Sequence, residues 1–245
     1  MWKKLLFLIT VSVGILIVVL GGNNYNFKSG IIVAEYDVFI INEAESEKAG
    51  IYSLKTETSN KSTTVQENIA LEISLAQQAE TSRIVNEKKY TFDADERLVG
   101  FSESEYNDGR LIYTQEIIFS FAKKDILATV KINDTLTKTV KFPNHSLSVS
   151  CFSSELFRII QSCDFSTGST HYSIDINQCL NTFEAQEIET IRNEYMGDIS
   201  CAKVINENSL GKKEYWINNG ILVKQKENIN DTAVLVFDLN FYSRK

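Results

Sequence analysis

The chain has 245 residues, is 43% hydrophobic and 11% aromatic, and carries one proline and a formal net charge of −7. That much apolar material excludes global disorder. The acidic balance, with Lys and Arg scattered rather than grouped on a stripe, excludes nucleic acid as a partner.

The chain opens Met1-Trp2-Lys3-Lys4, then runs uncharged from Leu5 to Leu20 and on through Gly21, Gly22, Asn23 and Asn24. Two lysines ahead of an apolar run are the first two regions of an export signal. Positive charge stays inside, so everything after Asn24 is placed outside the cytoplasm. The stretch approaches the ~20 residues that span a bilayer and exceeds an ordinary signal-peptide core of roughly 7–15. A small-x-small cleavage site is poor, because Val19 stands where a small residue is needed before Gly21. Residues 1–24 therefore read as a hydrophobic helix, a signal anchor that meets the membrane through residues 5–20. The alternative is a cleaved signal peptide. Residues 25–245 read as a single extracytoplasmic β-rich domain, tethered to the inner or plasma membrane, or periplasmic or secreted if the segment is cleaved. No basic patch follows the anchor to draw anionic lipid.

Beyond the anchor the recurring period is two, not 3.6. Residues 42–50, rich in Glu and Ala, suit a loop or a short helix. Tyr52 and Leu54 alternate with Ser53 and Lys55, and Ile69, Leu71, Ile73 and Leu75 alternate with smaller or polar residues. That is the pattern of a strand with one buried face. Asn107-Asp108-Gly109 predicts a hairpin turn, since Asp-Gly tolerates positive φ at both central positions. A strand from Leu111 to Phe121 follows, then Ile126–Ile132 and Leu136–Phe142. After Pro143, Ser153-Ser154 suits the cap of a short helix carrying Leu156, Phe157, Ile159 and Ile160. Strands resume at His171–Cys179, Phe183–Arg192 and Ile199–Ile205. Tyr215-Trp216-Ile217, Asn218-Asn219-Gly220 and Ile221-Leu222-Val223 predict a hairpin with a type I′ turn or a bulged loop. Ala233–Tyr242 reads as the last strand. The expected fold is mainly β: a curled antiparallel sheet, a half-barrel of about ten strands around one short helix.

Four cysteines, Cys151, Cys163, Cys179 and Cys201, form an even set in an exported chain and are disulfide candidates with three connectivities open. None is spaced C-x-x-C, so neither a redox motif nor a zinc knuckle is indicated. The two histidines, His145 and His171, lack a neighbouring ligand at helical spacing. A Cys163/His171 nucleophile pair is disfavoured, because His171 falls in a strand and Cys163 in the oxidisable set. Asp93-Ala94-Asp95-Glu96 resembles half a calcium loop but lacks the spaced ligands and the glycine at the sixth position, so it reads as a solvated turn. Glu184, Glu187, Glu189 and Glu194 with Arg192 read as an exposed strand face. No phosphate-binding glycine loop and no G-x-S-x-G elbow occurs. The residues thus point to no metal site, no cofactor and no enzyme.

The strand order is similar to the LolA/LolB-like family of periplasmic lipoprotein carriers and to related exported bacterial domains of unknown function. The segments that carry the likeness are Gly50-Ile51-Tyr52-Ser53-Leu54, the helix after Pro143, Cys201-Ala202-Lys203-Val204, Tyr215-Trp216-Ile217 and Gly220-Ile221-Leu222-Val223-Lys224. The likeness spans about Ile31 to Tyr242 and is a pattern of strands and turns, not of reactive residues. It implies a half-barrel open on one side, with a helix in the concave face, where carriers of this kind hold acyl chains. Two functions follow. One is a non-enzymatic envelope scaffold or interaction module with an envelope-protein partner. The other is a carrier for a lipid or the acyl part of a lipoprotein. Phe119, Phe121, Phe157, Ile160 and Trp216 are the expected concave-face residues in either case. A scaffold packs them together at native density, whereas a carrier leaves a cleft.

Overall fold

The structure is a computed structural model and describes residues 30–42, 45–74, 81–94, 98–121, 125–133, 135–143, 168, 170–174, 180–208, 211–229 and 232–245. The predicted N-terminal helix and the predicted helix after Pro143 lie outside those residues. Among the described residues no helix is long and apolar enough to cross a membrane.

The first eight strands are β1 (Gly30–Asn42), β2 (Glu45–Thr58), β3 (Thr63–Ser74), β4 (Thr81–Phe92), β5 (Leu98–Asn107), β6 (Arg110–Phe121), β7 (Asp125–Ile132) and β8 (Thr135–Pro143). The other six are β9 (Thr170–Ile174), β10 (Leu180–Asn193), β11 (Gly197–Asn208), β12 (Gly211–Asn218), β13 (Ile221–Asn228) and β14 (Ala233–Arg244). They form one sheet in the order β8-β7-β6-β5-β4-β3-β2-β1-β14-β13-β12-β11-β10-β9, an open order with β8 and β9 at its ends. Every neighbour pair except β1–β14 is consecutive in sequence. At β1–β14, Ile31 and Lys245 exchange both backbone hydrogen bonds, at 3.0 and 2.9 Å, which is antiparallel pairing.

The mainly β, antiparallel character is as expected, and among the described residues the sheet holds fourteen strands rather than about ten. Residues 45–50 belong to β2, not to a loop or helix. Their helix-favouring Glu and Ala are overridden by pairing with a neighbour, as strand context commonly does.

The turns follow the sequence. Asn107 pairs with Arg110, leaving Asp108 and Gly109 as a two-residue loop with φ of 49° and 78°. Asn218 pairs with Ile221, leaving Asn219 and Gly220 at 47° and 76°. Both are type I′ turns, whose twist matches the strands they join. The β12–β13 hairpin also carries the bulge. Trp216 pairs with Lys224 and Ile217 with Leu222, so Val223 is the extra residue. A bulge breaks the alternation, and Leu222 and Val223 are consecutively buried.

Two turn residues also reach beyond their own hairpin. The Asp108 backbone N–H donates to the Arg83 carbonyl, and Asp108 Oδ1 accepts from Arg83 N–H, each at 2.8 Å. Asn133, with φ of 47°, does the same on β6. Its N–H donates to the Thr114 carbonyl and its Oδ1 accepts from Thr114 N–H, each at 3.0 Å. In each case a side-chain oxygen stands in for a carbonyl that the turn has rotated out of the ladder.

The chain divides into two compact units, one of residues 1–25, 36–48 and 151–240, the other of residues 26–35, 49–150 and 241–245. The former is the first unit and the latter the second. The second unit buries Leu54, Leu71, Tyr90, Phe92 and Ile117. The first buries Tyr36, Val38, Phe183, Val204 and Leu239. There the Tyr36 hydroxyl donates to the Leu222 carbonyl at 3.0 Å.

Gly50 is a site of close approach. It pairs with Leu71, and a Cβ built on it would run into the Ala70 carbonyl oxygen. A Cβ on Gly109 meets nothing within 4 Å but would suffer the positive φ. Gly109→Ala is therefore expected to cost about 1 kcal/mol. Gly50→Ala should cost more, roughly 2–3 kcal/mol, because backbone must move. Urea unfolding of the two variants beside the parent checks the ranking.

Candidate functional site

In the second unit, strand alternation sends one residue in two to the buried face. On β4 these are Ile84, Asn86, Lys88, Tyr90 and Phe92, and on β5 Phe101, Glu103 and Glu105. On β4 apolar residues hold the ends and polar ones the middle, and on β5 Phe101 is followed by the two carboxylates. Antiparallel register lines the polar positions into two rungs. In the first, Leu54 pairs with Glu67, Glu67 with Lys88, Lys88 with Glu103 and Glu103 with Gln115. In the second, Tyr52 pairs with Ile69, Ile69 with Asn86, Asn86 with Glu105 and Glu105 with Tyr113.

The first rung is bonded to itself. Lys88, only 4% exposed, places Nζ 3.4 Å from Glu103 Oε1. Asn86 Nδ2 donates to the same oxygen at 2.8 Å. The Tyr90 hydroxyl donates to Glu67 Oε2 at 3.2 Å, and its ring lies 5.1 Å from that of Phe101. A buried charge is tolerated only when paired and hydrogen-bonded. The second rung contains no cation. Burial pushes the Glu105 carboxyl above the usual range; Glu103 adds to this and Lys88 partly opposes it. Burial also raises the Tyr113 phenol, with Glu103 and Glu105 acting the same way.

The first unit carries a second constellation. Cys201, Trp216 and Val223 form a buried cluster against Ile191, Met196 and Ile199. At its border Trp216 Nε1 donates to Glu189 Oε2 at 2.8 Å, and Lys203 Nζ donates to Glu189 Oε1 at 2.9 Å. The Lys203 ammonium also lies 5.2 Å from the Trp216 ring centroid, within cation–π range. The Trp216 hydrogen bond, followed by that from Lys203, holds the Glu189 carboxyl below its ordinary range. The hydrogen bond to Glu189 raises Lys203. Nearby, Asn193 Oδ1 accepts from the N–H groups of Tyr195 and Met196, while its Nδ2 donates to Asp238 Oδ1 at 2.7 Å and the Leu239 carbonyl at 2.8 Å.

Of the expected concave-face residues, Phe119 is buried and Phe121 half-buried in the second unit, and Trp216 is buried in the first. Phe157 and Ile160 lie outside the described residues. So do Cys151, Cys163 and Cys179. Cys201 is a free thiol, fully buried, and burial pushes it up to about 11. It is therefore a packed apolar group and not a nucleophile. His171 lies on β9 opposite Phe183, and His145 is outside the described residues. Asp93 and Ala94 occupy the connection after β4. Among the described residues no group of three or more His, Cys, Asp or Glu is placed to hold a metal ion. Glu184, Glu187 and Arg192 are exposed, as the sequence indicated, but Glu189 is drawn into the Trp216–Lys203 contact. The sequence reading missed Glu67, Asn86, Lys88, Glu103 and Glu105 altogether. Their signal was present, as charges and an amide in the apolar phase of alternating strands.

No family model matches the chain, and no curated protein matches it. Among solved structures it is similar to the crystal structure of a β-barrel-like protein of the domain of unknown function DUF1849 from Brucella abortus, with a TM-score of 0.63 and 10% identity. The match covers 89% of this chain and 99% of that one. At that identity the likeness is one of fold.

The first rung makes a specific demand. Lys88→Met leaves Glu103 buried without its ammonium, which should cost about 3–5 kcal/mol. Lys88→Met combined with Glu103→Gln removes both charges and keeps an acceptor for Asn86, so much of that loss should return. Chemical denaturation of the two single variants and the double variant measures the coupling.

Proposed function

We propose that this chain is an exported, membrane-anchored envelope domain that acts as a non-enzymatic scaffold or interaction module. Lys3 and Lys4 ahead of the uncharged run Leu5–Leu20 support export and anchoring. The observation that carries the scaffold reading is the polar belt of the second unit. A carrier of acyl chains keeps its binding wall apolar, with few polar groups. Here the middle of the buried face is taken by Glu67, Asn86, Lys88, Glu103 and Glu105, and side chains there bond to one another. Such a face favours self-packing over holding a lipid tail, because each charge needs its protein partner. The fold likeness to a barrel-like domain is compatible with either use.

Two measurements on the full chain test this reading. Protease added to intact spheroplasts is expected to digest the domain; survival until lysis would overturn export. Native mass spectrometry of protein purified from its own membrane is expected to show no stoichiometric lipid. One retained lipid per chain would replace the scaffold with the carrier of the LolA/LolB-like kind.

A further inference from the structure

We propose that Glu105 is a built-in proton site, so that mild acidification stabilises the second unit instead of weakening it. The argument starts from the distribution of charge on the buried face. Among the described residues this face buries three carboxyls, Glu67, Glu103 and Glu105, and one ammonium, that of Lys88, which pairs with Glu103. Register places Lys88 between Glu67 on β3 and Glu103 on β5. Glu105 stands one rung away, between Asn86 on β4 and Tyr113 on β6. It is 3% exposed, so it makes little contact with water. The ionisable groups that bear on it among the described residues are Glu103 on its own strand, Lys88 on β4 and Tyr113 on β6; Glu67 on β3 is the register partner of Lys88. Lys88 is the only cation among these groups, and its Nζ is engaged with Glu103.

A second observation points the same way. Asn86 spends its Nδ2 on Glu103, while its buried Oδ1 has no hydrogen-bond donor. Glu105 is the register partner of Asn86. As a carboxylate it offers only acceptors to that acceptor; as a carboxylic acid it gains an O–H donor. One proton therefore removes a buried charge beside Glu103 and supplies the donor that the facing strand lacks. Burial and the Glu103 charge raise the carboxyl in the folded state. The sign follows from linkage. A group raised on folding binds more protons folded than unfolded, so its contribution is fully present below the unfolded value and is lost as pH rises through the folded one.

Glu105→Gln is the test, because glutamine keeps the shape, removes the charge and carries an N–H donor at any pH. Melting temperatures of the full chain and the variant are compared from about pH 8 to about pH 5. The variant should melt higher at pH 8, and the gap should close as pH falls and the parent takes up its proton. A gap that does not change with pH, or a variant that melts lower at pH 8, overturns the proposal. If the variant does not fold, the parent labelled at its glutamate carboxyl carbons gives the answer by NMR titration. One buried carboxyl should titrate above the exposed set; none above that set overturns the site.

Discussion

The pairing of β1 with β14 is the contact on which the rest of the sheet depends. Every other neighbour in the order is reached by a connection to the next strand in sequence. Those pairings are local and cost little loop entropy. The β1–β14 pair joins residues about two hundred positions apart, and such long-range closure is the slow, costly part of assembling a sheet. Without it two separate meanders would each expose a long edge, and exposed edges invite pairing with other chains. The reciprocal bonds of Ile31 and Lys245 therefore do more than add two links. In the first unit Asn240 Nδ2 donates to Asp37 Oδ1 at 2.8 Å, which ties side chains of the same two strands, and Lys48 Nζ of β2 lies 2.6 Å from the same carboxylate oxygen.

The Glu189–Lys203 pair of the first unit and the Lys88–Glu103 pair of the second differ in exposure. In the first, the polar groups beside the Cys201–Trp216–Val223 cluster are half-exposed, and Glu189 and Lys203 keep contact with water. Pairs of that kind contribute little to stability and mainly orient side chains. In the second, the Lys88–Glu103 pair is enclosed. Enclosed charges are weak stabilisers compared with apolar residues of the same volume. What they add is intolerance of misregister. A slip of one residue in β4 would send Lys88 to the outer face and leave Glu67 and Glu103 buried without it. The sheet has many strands, so a device that fixes register near the middle of the second unit has an evident structural use.

Much of this fold was legible in the residues. Asp108-Gly109 and Asn219-Gly220 marked their hairpins because few residues accept positive φ twice in succession. β3, β6 and β14 were visible as alternating apolar runs. Among the strands not predicted, β4 and β5 share a physical cause, whereas β1 was passed over although Ile32, Ala34, Tyr36 and Val38 are its buried residues. β4 and β5 carry Asn86, Lys88, Glu103 and Glu105 at inward positions, so the apolar alternation fades where the belt crosses them. Neither strand looked half-buried, and the count fell short. The belt was missed for the same reason, since its members are recognisable only once the neighbouring strands fix which phase faces in. Glu189 looked like one more exposed carboxylate because its partners, Lys203 and Trp216, come from the next two strands of the sheet.

The clips made by Asp108 and Asn133 have a bearing on how such a sheet changes in length. The tip of the β5–β6 hairpin fastens to Arg83 on β4, and the tip of the β7–β8 hairpin fastens to Thr114 on β6. Each hairpin brings its own docking group and needs only a free backbone rung on the strand before it. A meander assembled this way is modular. Duplication or deletion of one whole hairpin preserves the pairing rule for its neighbours, whereas loss of a single strand reverses the direction of everything that follows. The width of the sheet is then free to drift in steps of two strands while its turn chemistry stays the same.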